Sequence, residues 1–289
     1  MELQELLGTI KTGKIVDQNE QYYFVSIAGF TFQLDKQEVK TDISEVQGFL
    51  YENQQHHLSL TTKIPQIGQF RYGFGEVVQV RTDLGVFVNI GLQDKDIVVS
   101  LDDLPELKSL WPKKGDRLFI AIKIDHKNRM WGQLATTDIF QQISRRPTTN
   151  LKNKDVTATV YRLKLSGTFV LTSDYYLGFI HPSEREREPR LGEVVQGRVI
   201  GSSFDHLNIS LKPRAYEEIT PDAEMLLAVL QHQPQGKINF NDKSSPEDIK
   251  QYFGISKGNF KRAVGHLLKK HLIIQDEDGI ALKVSDKHE

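Results

Sequence analysis

Residues 167–184 read GTFVLTSDYYLGFIHPSE. Side chains of an extended segment alternate between two faces. If Val170 and Ile180 face a core, then Phe169, Phe179 and His181 share the opposite side. Rings beside an imidazole carry no nucleophilic chemistry in this pattern, but they can stack planar groups. Stacking one nucleic-acid base on an aromatic ring contributes about 1–3 kcal/mol and tolerates any base. Tyr161 is a further ring of this kind, and Arg162, Lys164 and Arg198 are nearby cations for phosphates. The bland alternative is a patch covered by a neighbouring part of the chain, because single surface apolar residues are common.

Reactive patterns are otherwise sparse. There is no Gly-x-x-x-x-Gly-Lys loop and no His-Glu-x-x-His pair. The acidic pairs Asp94/Asp96 and Asp102/Asp103 sit in loop-like stretches without a basic or metal partner, and His56–His57 lacks a second ligand cluster. The absence of cysteine removes disulfides, thiolate zinc sites and thiol nucleophiles, and fits a reducing compartment. Neither catalysis nor a metal or small-molecule cofactor is expected. The opening MELQELLGTI has no basic, then apolar, leader, and no run approaches about 18 apolar residues. A cytoplasmic protein with no membrane partner is the expectation.

Net charge over the 289 residues is only −1, but it is unevenly spread. Residues 1–63 hold 5 basic and 9 acidic residues, and residues 64–140 hold 10 of each. Residues 141–213 hold 11 basic and 7 acidic, and residues 214–289 hold 11 and 12. A polyanion footprint is therefore expected in the third quarter, helped by clustered lysines in the fourth. The mixed run SEREREP, residues 183–189, reads as a solvated loop.

These side chains need rigid elements, and a repeat supplies them. Residues 156–212 break into five strand-like runs: VTATVYRLK, GTFVLTS, GFIHPS, EVVQGRVIG and HLNISLK. Residues 68–134 repeat the order with FGEVVQVRT, GVFVNIG, DIVVSL, DRLFIAIKID and RMWGQL. In the fourth of these, Leu118, Ile120, Ile122 and Ile124 share one face and Arg117, Phe119, Ala121 and Lys123 the other. Residues 12–62 give a weaker copy. Five short strands in 60–70 residues suit a small closed barrel without exposed edges. The five-strand Greek-key version is the OB-fold.

The pieces GTFV, GFIHPSE, LGEVVQGRVI and LNISL resemble the RNA-binding domain first described in ribosomal protein S1. The resemblance covers residues 151–213 well, 68–138 moderately and 1–63 weakly. It implies RNA contacts from Phe24, Phe87 and Phe169 on the second strands, from His181, from Asp125, and from Arg129 with His206 as its counterpart. Ser202 replaces the aspartate in the third copy, DIVVSL lacks the histidine, and Leu84 and Ser166 replace an aromatic. No copy is complete, so joint action is expected. Asp125 and Arg129 could equally pair with each other.

From Pro221 the period turns helical. Thr220 is a candidate N-cap ahead of a helix carrying Met225, Leu226, Val229 and Leu230, and KINFND is a short strand. Ser245-Pro246-Glu247-Asp248 opens a second helix that stops at Gly254, and Ser256 caps a third, KGNFKRAVGHLLKKHL. LIIQDEDGIALKV reads as a hairpin around Asp-Gly. This order resembles a winged helix, whose third helix places Lys257, Lys261 and Arg262 for phosphates or bases.

The expectation is thus a multidomain, mainly β chain: S1-type barrels over 1–63, 64–140 and 141–213, then a winged helix over 214–289. SRRPTTN and KPRAYEEI read as short linkers, and tethered weak sites would act together through effective concentration. Taken whole, the chain closely resembles the conserved virulence factor B family of Gram-positive bacteria. That resemblance implies a non-enzymatic regulator of virulence gene expression that binds single-stranded RNA, mainly through the third barrel and winged helix. The alternative is a transcription regulator that binds DNA through the winged helix.

Overall fold

A computed structural model of the chain describes all residues except 1, 40–42, 214–219, 234 and 284–289. The described chain forms two compact units, Met1–Lys212 and Pro213–Glu289. Most of KPRAYEEI lies outside the described residues.

Three closed five-stranded barrels build the first unit. Helix α1 (Leu3–Leu6) precedes β1 (Ile10–Gln18), β2 (Tyr22–Ile27), β3 (Phe30–Asp35), β4 (Glu45–Glu52) and β5 (Leu58–Thr61). The second barrel has β6 (Gly73–Arg81), β7 (Gly85–Asn89), β8 (Ile97–Ser100), β9 (Arg117–Ile124) and β10 (Met130–Leu134). Helix α2 (Thr137–Ile143) leads to the third, with β11 (Asp155–Lys164), β12 (Gly167–Thr172), β13 (Leu177–Ile180), β14 (Val194–Ser202) and β15 (Leu207–Ser210). Each runs first-second-third-fifth-fourth around the barrel, the third and fifth strands being parallel. This is the expected OB topology. In every copy the first strand slips register against the second, at Ile15/Asp17, Val77/Gln79 and Val160/Arg162. Such a bulge bends the strand and tightens its twist, which helps a small sheet close.

The glycine that opens each clear second strand has a steric reason. At Gly167 (φ +149°) an added Cβ would meet the Ile180 carbonyl oxygen and the Phe179 ring at 2.6 Å. At Gly85 (φ +137°) it would meet the Val99 carbonyl at 2.0 Å. Gly167→Ala is expected to lower stability by about 1–3 kcal/mol, the range for strained backbone, and to shift the Phe179 ring. Denaturant midpoints check the first effect; a wild-type midpoint would contradict it.

The barrels are packed on one another. Phe49 and Tyr51 of the first join the core of the second with Ile67, Val88 and Ile120. The Tyr51 hydroxyl donates to Asp94 at 2.9 Å, and Gln69 Nε2 donates to the Leu7 carbonyl at 2.8 Å. Between the second and third barrels, Arg117 N donates to Gly192 O at 2.8 Å and Leu191 N to Leu110 O at 3.0 Å. The second face of β9 is also partly covered: Phe119 and Ala121 are buried, Phe119 among Phe74, Phe140 and Leu171.

In the second unit, α3 (Pro221–His232), β16 (Lys237–Ile238), α4 (Pro246–Phe253), α5 (Lys257–Lys269), β17 (Ile273–Gln275) and β18 (Ile280–Leu282) form a winged helix. Thr220, Ser245 and Ser256 each accept a backbone N–H from the first helical turn. Gly254 ends α4 at φ +73°. Leu226, Leu230, Ile249, Phe253, Phe260, Val264 and Leu267 are buried together. No described helix is long and apolar enough to cross a membrane.

Candidate nucleic-acid interface

Strand register places one row of outward side chains around each barrel. In the third it runs Arg162, Phe169, Phe179, Asn208, Gly201. In the second it runs Gln79, Phe87, Val98, Trp131, Lys123. In the first it runs Asp17, Phe24, Gln33, Ser59, Tyr51. Each row holds two aromatic residues, but the acidic Asp17 of the first row has no acidic counterpart in the other two. In the first, Gln33 Nε2 donates to Ser59 Oγ, and Tyr51 is buried against the second barrel, so Phe24 stands among satisfied polar groups.

The third row is the richest. The half-buried rings of Phe169 and Phe179 meet edge-on at 5.3 Å. His181 lies 6.5 Å and His206 5.9 Å from Phe179. Lys164 Nζ sits 5.5 Å from the Phe169 ring centre. His181 is exposed and caps the turn at Pro182–Glu184. His206 Nδ1 contacts Asp205 at 2.7 Å, and that imidazole holds the Asp205 carboxyl below the usual carboxylate range. The structure thus gathers Lys164, Phe169, His181 and His206 on one flank. Arg198 is registered against Ser210 and Asp155, away from that row.

Two third-barrel residues differ from the expectation. Tyr161 stacks on Phe140 of α2 at 3.9 Å, so one ring face serves packing between barrels. Burial pushes its hydroxyl up to about 12. The exposed Arg162 donates to Thr137 Oγ1, which ties its head to the start of α2.

SEREREP is only partly a solvated loop: Ser183, Glu186 and Arg187 are exposed, but other side chains are engaged. Arg185 donates to Thr168 Oγ1 and pairs with Glu188 at 3.1 Å, and Arg187 pairs with Glu193. Arg190 just beyond bonds Asp116 of the second barrel through Nε and Nη2 at 3.1 and 3.0 Å. These pairs fix the loop on the third barrel, and Arg190 ties its end to the second. SRRPTTN is likewise docked: Arg145 N donates to Tyr175 O at 2.7 Å, and Arg146 covers Phe204 at 4.5 Å. These contacts make the link between the second and third barrels a packed junction.

In the second barrel Phe87 is half-buried, and Arg129 bonds Asp125 at 2.7 Å. Burial alone would raise the Asp125 pKa, but N–H groups of Arg129, Trp131 and Lys127 hold it well below the usual carboxylate range. Trp131 is a ring that sequence reasoning passed over. Its signal was present, because it lies two residues after Arg129 in the strand-like run RMWGQL, where alternation would put both on one face. Phe204, 82% exposed on the β14–β15 turn, was also missed; an isolated turn aromatic carries no periodic signal.

On the winged helix, Lys261 and Arg262 are exposed, Lys257 is half-buried, and Arg262 bonds Asn259. Among the described residues no cluster of three or more His, Asp or Glu could hold a metal ion.

Three S1-type barrels and a winged helix in one chain define the class: a protein assembled from nucleic-acid-binding modules. Residues 7–63 match the family described as S1 domain, and 72–133 match CvfB first S1-like domain. Residues 140–213 match virulence regulatory factor CvfB, second domain, and 224–282 match CvfB-like winged helix domain. Protein YitL of Bacillus subtilis is 42% identical over 273 residues, covering 93% of this chain and 91% of that one. Conserved virulence factor B of Staphylococcus aureus is 37% identical over 284 residues, covering 96% and 93%. A Streptococcus pneumoniae crystal structure, described as a multidomain protein with nucleic acid binding domains, is 49% identical with a TM-score of 0.70, covering 96% and 99%. The chain belongs to the conserved virulence factor B family.

Proposed function

We propose that this protein is a non-enzymatic, cytoplasmic post-transcriptional regulator that binds single-stranded RNA, chiefly on the third barrel. One observation carries the reading: the adjoining half-exposed rings of Phe169 and Phe179, with Lys164, His181 and His206 around them. Rings supply base stacking without sequence preference. Lys164 supplies a phosphate contact, and the histidines supply hydrogen bonds to sugar or base edges, as suits unpaired RNA. Virulence gene expression as the regulated output rests on the name carried by the Staphylococcus aureus relatives. The winged helix adds its own cationic face through Lys261 and Arg262.

The double substitution Phe169→Ala, His181→Ala is expected to weaken single-stranded RNA binding by about 5- to 150-fold, the equivalent of one lost stacked base, with the thermal midpoint little changed. Titration at fixed salt measures it, since phosphate contacts make affinity salt-dependent. Affinity equal to wild type would refute the assignment. The competing reading, duplex DNA held by α5, is favoured by the exposed Lys261 and Arg262. It predicts that duplex DNA outcompetes RNA and that Lys261→Ala, Arg262→Ala removes binding.

A further inference from the structure

Between β5 and β6 the chain crosses from the first barrel to the second through a tight turn, Gly68-Gln69-Phe70-Arg71. Gly68 N donates to Arg71 O at 3.0 Å, and Arg71 N donates back to Gly68 O at 3.3 Å. Of these four residues only Phe70 is left-handed, at φ +59°. That is the turn position where glycine is favoured, and a bulky side chain there is an outlier. The turn is held from both barrels. Gln69 N donates to Gly8 O at 2.8 Å, and Ile122 N of β9 donates to Gly68 O at 3.0 Å. The Gln69 amide also binds the Gln4 and Leu7 carbonyls of α1 and its C-cap, and Arg71 Nη2 binds Pro65 O. Phe70 itself is 92% exposed, and its ring meets no other ring among the described residues. Its neighbours thus impose a strained conformation on a side chain that adds nothing to the fold. Strain of this kind persists where the surroundings over-determine it, and it clusters at contact sites. The ring is a rigid, outward knob.

A matching hole lies elsewhere on the barrel unit. A cleft of 550 Å³ opens where the β8–β9 connection of the second barrel meets the β13–β14 connection of the third. Its floor is apolar, with Leu110 half-buried and Leu107 64% exposed. Clefts of about 300–1,000 Å³ hold compact organic groups, so a phenyl ring fits. The rim is cationic. The exposed Lys113 ammonium pairs with no carboxylate among the described residues, and Arg187 stays exposed while it pairs with Glu193. Glu188, also on the rim, is already paired with Arg185 at 3.1 Å. The knob stands in the opposite field. Helix α1, whose carbonyls hold Gln69, carries the exposed Glu2 and Glu5. Residues 1–63 hold four more acidic than basic residues, and residues 141–213 hold four more basic than acidic. This polarity disfavours a polyanion at the knob and favours a cationic cleft. A ring seated beside Lys113 and Arg187 also gains from cation–π attraction.

We propose that this protein associates with itself head to tail, the Phe70 turn of one copy seating in the Leu107–Leu110 cleft of a second, with Glu2 and Glu5 facing Lys113 and Arg187. Knob and cleft are different surfaces of one chain, so the contact is heterologous. Each pair keeps one free knob and one free cleft, which leads to chains or rings rather than a closed two-fold dimer. A contact anchored on a single ring belongs with the small, transient interfaces, below about 1,200 Å², so the association depends on concentration. It uses none of the third-barrel RNA contacts and stands or falls apart from them.

Sedimentation velocity of the full, RNA-free chain over a concentration series tests it. The wild type is expected to show a mass above the monomer that rises with concentration and falls as added salt screens the charges. Phe70→Gly, which suits the left-handed turn, and Leu107→Asp, which charges the cleft floor, are each expected to weaken association by about 30-fold or more, the loss of a hot-spot anchor. Mixed in equal amounts, the two variants are expected to form a dimer that grows no further. Phe70→Gly supplies only an intact cleft and Leu107→Asp only an intact knob, and the recovered dimer shows that both variants fold. A wild type that stays monomeric at every concentration, or association untouched by Phe70→Gly, overturns the inference. A mixture that remains monomeric while the wild type associates also overturns it, because the contact would not then join these two surfaces. Weaker single-stranded RNA binding in Phe70→Gly, with a monomeric wild type, would reassign the ring to base stacking and overturn it as well.

Discussion

Phe140→Ala is expected to lower the unfolding free energy of the barrel unit by about 3–5 kcal/mol, the cost of emptying a buried phenylalanine site. Phe140 is 2% exposed and lies between rings of different barrels, 5.4 Å from Phe119 and 3.9 Å from Tyr161. The same substitution removes much of what buries Tyr161. The Tyr161 hydroxyl, pushed up to about 12 by that burial, is expected to fall back toward the ordinary tyrosine value near 10. Denaturant unfolding measures the first effect and an ultraviolet titration of tyrosinate the second. A loss below about 1 kcal/mol with the titration unmoved would mean that α2 does not join the barrels.

Asp116→Ala is expected to cost about 1–3 kcal/mol, because it removes two bonds to the partly buried Arg190 guanidinium and the acceptor of the Lys113 N–H. The side chains of Asp116 and Arg190 are 9% and 19% exposed, and Arg190 also contacts Glu193 at 3.2 Å. Replacing Asp116 and Arg190 together with apolar residues of similar size is expected to cost much less, since desolvation offsets most of a buried pair's attraction. A pH series adds a second readout. Burial would raise the Glu193 pKa, but bonds from Arg187 and the Arg190 N–H, with both guanidinium charges, set it below its ordinary value. Its folded pKa thus lies below the unfolded value of about 4.3. The contribution is complete well above that value and fades as pH falls through the folded pKa. Arg187→Met is expected to flatten this acid limb of the stability curve and leave stability near pH 7 much less changed than Asp116→Ala does. An unaltered acid limb would contradict the network.

What the sequence reveals here is local, and what it hides is contact between repeats. Strand alternation and the Gly-x-Phe-Val pattern locate the second strand of each clear barrel, because Gly167 and Gly85 answer a constraint within their own barrel. Ser245, Ser256 and Gly254 mark helix ends for the same reason: cap and helix are neighbours in the chain. SEREREP looks solvated because the partner of the following Arg190, Asp116, is 74 residues away. Tyr161 looks like a free ring because nothing in its own strand announces Phe140. In the candidate site, Phe169 and His181 follow from periodicity. The placement of Trp131 beside Val98 does not, since it depends on parallel pairing across the closed barrel.

The cap at His181 has a chemical corollary. The Ser183 N–H points at its Nδ1 from 3.2 Å, with Ser183 Oγ at 2.7 Å. A nitrogen that accepts a main-chain proton cannot carry its own, so the neutral ring keeps its hydrogen on Nε2. The outward edge of this imidazole then offers a proton and no lone pair. Whatever ligand atom meets it must be an acceptor, such as a phosphate or carbonyl oxygen, and an exocyclic amine would find no match there.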